Sequence, residues 1–180
     1  MSITTKIGDK QTSRFFSGEE ASKDDLRFET YGTLDEFVAA LGLARSFLLS
    51  SSLAAEIRDL QVDLFRVGGE LATTTPEKLK WVEATNEKHV QKVEARMKYW
   101  EDKIKLPKSF LIPGTTQASA ALDVARTVCR RLERLNVKMF REGSYANKHG
   151  LVYLNRLSDY CFLLARAAEM EAGVQFDSKD

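Results

Sequence analysis

Apolar residues recur at steps of three and four along most of the chain. Between residues 53 and 71 they form a narrow seam that is typical of a bundle helix: Leu53, Ile57, Leu60, Leu64, Val67 and Leu71. The same periodicity predicts five helices, at about 33–49, 53–73, 86–102, 116–140 and 151–172. The connections between them are short, which favours antiparallel neighbours. The pattern therefore predicts an all-α fold, a five-helix up-down bundle.

The start of the first helix is predicted from a capping signal. Thr33 and Glu36 form a T-x-x-E box directly after Gly32. Asp35 and Glu36 would then lie in the first turn, where the helix dipole stabilises each carboxylate by about 0.3–1 kcal/mol. The capping role accounts for Glu36 and leaves Asp35 available to pair elsewhere.

Residues 1–31 show no sustained period of 3.6 or 2 and are rich in Gly, Ser, Thr and charged residues. We interpret this segment as an ordered loop or a flexible arm. The stretch "TKIGDKQTSR" has the composition of a phosphate-cradling loop but lacks the spacing of a P-loop. The expected organisation is one domain over 1–180, with an N-terminal loop at 1–31, the helical bundle at 32–172 and a tail at 173–180.

Charge and composition exclude several classes of partner. The chain has 27 Lys and Arg against 26 Asp and Glu, and its net charge of +1 gives no global field for nucleic acid or a membrane surface. No apolar run reaches the roughly 18 residues of a spanning helix, and the N-terminus lacks a signal-peptide core. Cys129 and Cys161 lie in periodic segments, as expected of reduced core thiols. These features predict a cytoplasmic location.

The predicted fourth helix concentrates arginine. The stretch "VARTVCRRLERLN" at 124–136 holds four arginines and no lysine. Helical spacing places Arg126, Arg130, Glu133 and Arg134 on one face, opposite the leucines. A solvated face is the ordinary alternative. However, the planar guanidinium fork suits bidentate contact with phosphate or carboxylate, so we expect an anion or a partner's carboxylate there.

The predicted fifth helix carries a second polar stripe, with Asn155, Asp159 and Arg166. Asparagine is a poor helix former, so its presence calls for a reason beyond solvation. The stripe could face the arginines of the fourth helix, or it could be a satisfied polar network that pins two helices together. Spacing alone does not decide between the two.

Protein-based catalysis finds little support in the sequence. His89 and His149 stand alone, without the Glu-x-x-His pairs of a di-iron centre, and the cysteines and histidines lack zinc-ligand spacing. No metal ligand set is therefore predicted. No Ser or Cys has a recognisable base partner either, so any chemistry needs a nucleophile from outside the chain.

Four stretches carry a resemblance to one family: "TKIGDK", "SKDDLRFETYGTLDE", "FLIPGTTQASAALDVARTVCRRLER" and "LNRLSDYCFLLAR". Their order and approximate spacing resemble those of PduO-type ATP:cob(I)alamin adenosyltransferases over about residues 3–170. The resemblance implies a ferritin-like bundle with an ordered N-terminal nucleotide-binding loop. It also implies a homotrimer with active sites between neighbouring subunits.

The resemblance further implies roles for individual residues. Asp35 would pair across the subunit boundary with Arg126, supporting assembly and corrinoid binding. Phe110 would exclude an axial ligand at the lower face of the corrin, although from the residues alone it reads as a core phenylalanine. The implied ATP-binding residues are Thr5, Lys6, Gly8, Ser13 and Lys23 from the loop, and Arg130, Arg131, Glu133, Arg134 and Asn155 from the helices.

In the family that the chain resembles, the cobalt of cob(I)alamin attacks the 5′ carbon of ATP and expels triphosphate. This implies cobalamin, ATP and Mg²⁺ as ligands, and a reductase or a cobalamin-dependent acceptor enzyme as a possible partner. Gln11 stands where the family usually has glycine, and Thr115 replaces another. If φ is positive at position 11, a side chain there costs about 1–2 kcal/mol or reshapes the loop.

Two alternatives to the enzyme stay open from the sequence. One is a non-catalytic trimer that binds nucleotide or cobalamin for delivery or sensing, which Gln11 favours. The other is a helical-bundle oligomer whose arginines serve only subunit contacts.

Overall fold

The computed structural model describes residues 6–48, 51–78 and 82–179. In this part of the chain the helices are α1 (Leu26–Ser46), α2 (Ser51–Leu71), α3 (Glu87–Lys103), α4 (Gln117–Arg141) and α5 (Lys148–Glu171). A hairpin of β1 (Thr12–Arg14) and β2 (Glu20–Ser22) precedes them, and short 3-10 turns lie at Ile7–Lys10 and Pro76–Lys78. The predicted five-helix bundle is confirmed, with the small hairpin as an addition.

α4 lies at the centre of the bundle. It packs against α1 on one side and α5 on the other, α2 packs on the far side of α1, and α3 packs on α5. α1 and α4 run antiparallel, because Arg27 near the start of α1 contacts Ser144 just beyond the end of α4. The core they share is fully buried and includes Phe37, Leu41, Leu64, Leu122, Ala125, Leu132, Leu157 and Leu164.

The capping box predicted for the first helix is wrong. The helix begins seven residues earlier, at Leu26, and its N-cap is Asp25, whose side chain accepts from the N–H of Arg27 at 2.8 Å. The Thr33 hydroxyl instead donates to the Glu29 carbonyl at 2.8 Å, one turn back within the helix. Asp35 and Glu36 therefore lie in the middle of α1, where the helix dipole does not account for them.

Residues 6–25 form an ordered loop tied to the bundle, so the flexible-arm interpretation is wrong for this part. The hairpin pairs Thr12 with Ser22, Ser13 with Ala21 and Arg14 with Glu20. The buried Phe15 ring stacks on Phe28 with centroids 4.4 Å apart. The N–H of Phe16 donates to the carbonyl of Ala72 at 3.1 Å, which fixes the loop at the end of α2.

Arg27 joins three elements at this end of the bundle. Its buried guanidinium donates to the carbonyls of Leu71 at 2.7 Å and Thr73 at 2.9 Å, and also to the carbonyl of Ser144. These contacts satisfy acceptors at the end of α2 and after α4 that the helices leave unpaired. Burial lowers the pKa of Arg27, but the ordinary value is high enough for the group to stay charged.

The opposite end of the bundle is closed by the C-terminal segment. The N–H of Ile112 donates to the carbonyl of Asp177 at 2.8 Å, and that of Lys179 to the carbonyl of Phe110 at 2.9 Å. Residues 177–179 of the predicted tail thus pair with the segment before α4. None of the helices that the structure describes has the length and apolar character needed to cross a bilayer.

Both cysteines are free and buried, as expected of reduced core thiols. Burial raises the pKa of the Cys161 thiol to about 12 and raises that of Cys129 well above its ordinary value. Neither thiol forms appreciable thiolate near neutral pH, which makes both poor nucleophiles.

We predict that Arg27→Ala lowers the free energy of unfolding by about 3 kcal/mol, because three carbonyl groups lose a buried charged donor. Urea unfolding followed by circular dichroism measures this change. Arg58→Ala, at an exposed position of α2, is the control and is expected to change stability by less than about 0.5 kcal/mol. Equal effects of the two substitutions would contradict the proposed role of Arg27.

Candidate active site

The packing of α4 determines which of its arginines reach solvent. Leu122, Ala125 and Leu132 are fully buried, whereas Arg130 and Arg134 on the other side of the helix are exposed. Among the described residues, neither of these two arginines forms an ion pair. Two positive charges one turn apart are thus left without a protein partner, as expected for a surface that binds an anion.

Arg131 has a different environment from its neighbour Arg130. Its guanidinium pairs with the carboxylate of Glu36 on α1, with both side chains about half exposed. Glu36 therefore pairs with Arg131 between two helices and does not cap the start of α1. The placement of Arg131 beside a nucleotide stays a prediction.

The polar stripe of α5 meets α4 through a carboxylate. The Asn155 amide donates to Glu133 Oε1 at 2.9 Å, and its oxygen accepts from Arg156 Nη1 at 3.0 Å. Arg156 Nε in turn donates to Glu94 of α3 at 2.9 Å. Asn155 and Glu133 are therefore held in a network that joins three helices, on the side of α4 that carries Arg130 and Arg134. Asp159, in contrast, is exposed.

Arg126 is half-buried and is held from within its own helix. Its Nε donates to Asp123 Oδ1 at 3.1 Å. Arg126 also lines a shallow cavity of about 300 Å³ together with Asp123, Pro113, Gly114 and Val124. Asp123 was missed by the sequence reasoning, although an Asp three residues before an Arg on a helix is a recognisable pairing signal.

Phe110 is 87% exposed, so its interpretation as a core phenylalanine is wrong. Its backbone carbonyl is fixed by the hydrogen bond from Lys179, and Leu111 forms a bridge with Ser178. The chain runs from Phe110 directly to Pro113 and Gly114, which line the cavity of Arg126. A large aromatic ring thus stands in solvent near the start of α4, where it is available to a flat apolar ligand.

Asp35 is exposed on α1 and lines a different cavity, an apolar groove of about 460 Å³ between α1 and α2. The contact between Glu36 and Arg131 sets the register of α1 against α4. Arg126 lies five residues before Arg131, or about 7.5 Å along the helix axis. Within one chain, Arg126 therefore pairs with Asp123 and not with Asp35.

The loop residues are arranged around Lys23. Its Nζ lies only 2.7 Å from the position that a Cβ would occupy on Gly8, so the absence of a side chain at position 8 lets the lysine lie across the loop. Ser13 is half-buried in β1, and Lys6 is exposed. Thr5 lies outside the described residues. No hydrogen bond or ion pair joins residues 6–23 to Arg126, Arg130 or Arg134 in the part of the chain that the structure describes.

Gln11 adopts a left-handed backbone conformation, with φ 63 and ψ 11. The φ angle at position 11 is therefore positive, and a residue with a side chain occupies a position that favours glycine. The conformation is held by backbone pairing, since the Gln11 N–H donates to the Gly8 carbonyl at 3.3 Å and its carbonyl accepts from the Lys23 N–H at 2.9 Å. The loop keeps its shape and bears the strain.

Comparison with known proteins gives a consistent picture. A sequence model of the family described as cobalamin adenosyltransferase matches residues 3–168. A corrinoid adenosyltransferase of Citrobacter freundii is 36% identical over 167 residues, covering 93% of this chain and 94% of that protein. One of Bacillus subtilis is 35% identical over 178 residues, with coverages of 97% and 90%.

Solved structures agree with these relatives. A variant PduO-type ATP:corrinoid adenosyltransferase from Lactobacillus reuteri, complexed with cobalamin and ATP, superposes with a TM-score of 0.90. It is 32% identical and the match covers 99% of both chains. A second variant of this type from the same organism, complexed with ATP, gives a TM-score of 0.87 at 33% identity, with coverages of 99% of this chain and 100% of that one.

We predict that Gln11→Gly raises the free energy of unfolding by about 1 kcal/mol. Glycine adopts the left-handed conformation without strain, which stabilises the folded state. The greater conformational entropy of glycine in the unfolded chain offsets part of this stabilisation. Urea unfolding measures the change. Gln91→Gly is the matched control: Gln91 is exposed inside α3, where glycine is expected to lower stability by about 1 kcal/mol. Destabilisation by both substitutions would contradict the assignment of strain to Gln11.

Proposed function

The chain belongs to the cobalamin adenosyltransferase family, and we propose that its arginine face and N-terminal loop together form an active site shared between subunits. The protein is an ATP:cob(I)alamin adenosyltransferase, which transfers the 5′-deoxyadenosyl group of ATP to cobalt and releases triphosphate. The observation that carries the proposed site is the exposed, unpaired state of Arg130 and Arg134 beside the held pair of Glu133 and Asn155.

The chemistry fits a protein without a nucleophile of its own. Cobalt(I) of the corrinoid substrate supplies the electron pair for the new cobalt–carbon bond, and the bond between the 5′ carbon and oxygen breaks as triphosphate leaves. The buried cysteines, with their raised pKa values, are not needed as nucleophiles. The contribution of the protein is to position the substrates and stabilise charge.

We assign the polyphosphate to Arg130 and Arg134. Charge-assisted hydrogen bonds from each guanidinium would offset the growing charge on the leaving triphosphate, at roughly 1.5–3 kcal/mol apiece. Since Glu133 is occupied by Asn155, it does not neutralise these arginines by direct pairing. From the loop, we assign Lys6, Gly8, Ser13 and Lys23 to the nucleotide, with Thr5 next to them in sequence.

The corrinoid is assigned to Arg126, one turn before Arg130 on α4, and to the segment that precedes this helix. Phe110 is an exposed aromatic ring three residues before Pro113, which lines the cavity of Arg126. We assign it to cover one face of the corrin and exclude a polar axial ligand. Keeping such a ligand away favours reduction of cob(II)alamin to cob(I)alamin, because axial donors stabilise the higher oxidation state.

A homotrimer with shared sites is supported because, within one chain, the N-terminal loop lies apart from the residues assigned to the corrinoid. The loop is anchored at the end of the bundle where α2 and α4 end, through Phe16 and Arg27. Phe110 lies at the opposite end, before α4 begins, and Asp35 and Arg126 line different cavities. We propose that a neighbouring subunit supplies Asp35 to Arg126 and the loop to Arg130, since the described residues of one chain show neither pairing.

Magnesium fits this site as a companion of the nucleotide. No group of three or more His, Cys, Asp or Glu residues in the described ranges could hold a metal ion. Mg²⁺ is commonly bound by substrate phosphates and waters with few protein ligands, so we propose that it enters with ATP. A reductase or an acceptor enzyme as partner, and the cytoplasmic location, stay predictions from the sequence.

The second candidate is a trimer that binds nucleotide or cobalamin without turnover, for delivery or sensing. The strained conformation of Gln11 in the loop favours it, because a loop that bears strain can hold ATP less well than the glycine-containing form. The enzyme is preferred because Arg130 and Arg134, which we assign to the polyphosphate, are both present and exposed.

We expect the purified protein to form a cobalt–carbon bond when mixed with cob(II)alamin, a strong reductant and magnesium-ATP. The absorbance change of the corrinoid follows the reaction, and a protein-free mixture is the control. A spectrum that stays identical to the control would remove the enzyme assignment. An ATP-dependent rise in melting temperature in that case would instead support the binding protein.

Substitution of individual arginines tests the division of roles. Arg126→Ala is expected to raise the corrinoid KM or weaken the trimer, whereas Arg130→Ala is expected to raise the ATP KM by about tenfold or more, equivalent to about 1.4 kcal/mol. Steady-state kinetics and light scattering measure the two effects. Arg141→Ala, exposed in the last turn of α4, is the control. Identical effects of the first two substitutions would show that the division is wrong.

A further inference from the structure

Arg126 is held by a carboxylate that has two guanidinium partners. Asp123 Oδ1 accepts from Arg126 Nε at 3.1 Å, and Asp123 Oδ2 accepts from Arg166 Nη2 of α5 at 2.7 Å. The Asp123 side chain is only 7% exposed, against 27% for Arg126. Each carboxylate oxygen therefore serves a different helix, and the half-buried arginine is held by the more buried acid.

The partner on α5 is fixed in turn. Arg166 is 1% exposed and lies in an otherwise apolar run, Leu163–Ala168. Its Nη2 also donates to Glu169 Oε1 at 2.9 Å, and its guanidinium lies 5.3 Å from the centroid of the Phe162 ring. With Glu169 also 1% exposed, the four charges of this cluster sum to zero.

Such a cluster is costly to bury. Replacing buried ion pairs with apolar residues is often neutral or stabilising, so burial alone does not account for three charged residues between α4 and α5. Arg166 Nε and Glu169 Oε2 make no hydrogen bond within the described residues. A network that served only to hold α4 and α5 together would be expected to pair these buried polar atoms. Among the described residues, the cluster reaches the surface through Arg126, which lines the cavity formed with Pro113 and Gly114.

We propose that Asp123 is a positioning residue for Arg126, held in place by Arg166 and Glu169. This inference rests on the proposed role of Arg126 at the corrinoid side of the site. Asp123 binds only Nε, so both terminal nitrogens of Arg126 stay available for a second carboxylate, such as Asp35 of a neighbouring subunit. A guanidinium fixed in this way loses less conformational entropy when that partner or the corrinoid arrives.

Asp123→Asn tests the proposal, because asparagine keeps the shape of the side chain but has one acceptor oxygen for two arginines. The expected result is a corrinoid KM raised about tenfold, with the ATP KM changed by less than about twofold. Asp63→Asn is the matched control. Asp63 also accepts from the Nε of an arginine three residues later, Arg66 at 3.0 Å, and from the Tyr153 hydroxyl, but it lines a groove between α2, α3 and α5.

A double-mutant cycle separates positioning from general stability. If Asp123 acts through Arg126, Asp123→Asn in an Arg126→Ala background changes the corrinoid KM by less than about twofold. Independent, multiplying effects would overturn the proposal, as would equal changes of both KM values in Asp123→Asn and Asp63→Asn. An inactive wild type would overturn the proposed function instead, so the two failures are distinguishable.

Asp123→Glu provides a second variant in case the asparagine protein does not fold. Glutamate keeps the charge that both arginines need and moves the carboxylate by about 1.5 Å, one carbon–carbon bond. We expect the glutamate variant to keep its ATP KM and to show a raised corrinoid KM. An unchanged corrinoid KM in a folded Asp123→Glu protein would also overturn the proposal.

Discussion

The packing of α4 between α1 and α5 is the constraint on which the rest of the structure depends. Leu122, Ala125 and Leu132 are buried completely, and a helix that buries one face presents the other at fixed positions. Arg126, Arg130 and Arg134 then follow one another along the exposed side of α4, with Arg126 at the cavity lined by Pro113 and Gly114 and Arg134 about 12 Å further along the axis. The core thereby sets the spacing between the corrinoid end and the nucleotide end of the proposed site.

Some of the arginines on α4 have a carboxylate partner and others have none. Arg126 has Asp123 and Arg131 has Glu36, whereas Arg130 and Arg134 have no ionic partner among the described residues. Exposed ion pairs contribute only about 0–1 kcal/mol, so leaving two arginines unpaired costs the fold little. In the proposed site, an incoming polyphosphate would meet guanidinium groups that need not first release a carboxylate. The proposed anion site would thus cost the fold little stability.

The sequence predicted the helices well because each buries a long periodic stripe. The ends of α2 to α5, at 71, 103, 141 and 171, fall within two residues of prediction, whereas α1 ends at Ser46, three residues before the predicted 49. The predicted start of α1 was wrong, because a T-x-x-E pattern also occurs inside helices. Thr33 donates back to the carbonyl of Glu29. The buried residues Phe28 and Arg27 extend the helix towards the N-terminus despite Gly32. Three-residue strands leave too short an alternation to detect, so the hairpin was missed. The exposure of Phe110 depends on pairing with residues 177–179, which local sequence does not encode. The resemblance to known enzymes drew attention to Phe110 and Asp35, but not to Asp123, whose importance comes from a contact with α5.

A reaction whose nucleophile belongs to a substrate makes particular demands on the protein. With no side chain to activate, selectivity depends on holding cobalt, the 5′ carbon and the leaving phosphate in line, and misplacement by about 1 Å can cost two orders of magnitude in rate. Rigid elements meet this demand better than loops do. In the proposed site, the part assigned to the corrinoid has a buried ionic cluster behind Arg126 and a paired backbone at Phe110, while the part assigned to the nucleotide relies on a loop strained at Gln11. On this proposal, the strained loop is the part of the site that would gain most from a partner that holds it, whether ATP or a neighbouring subunit.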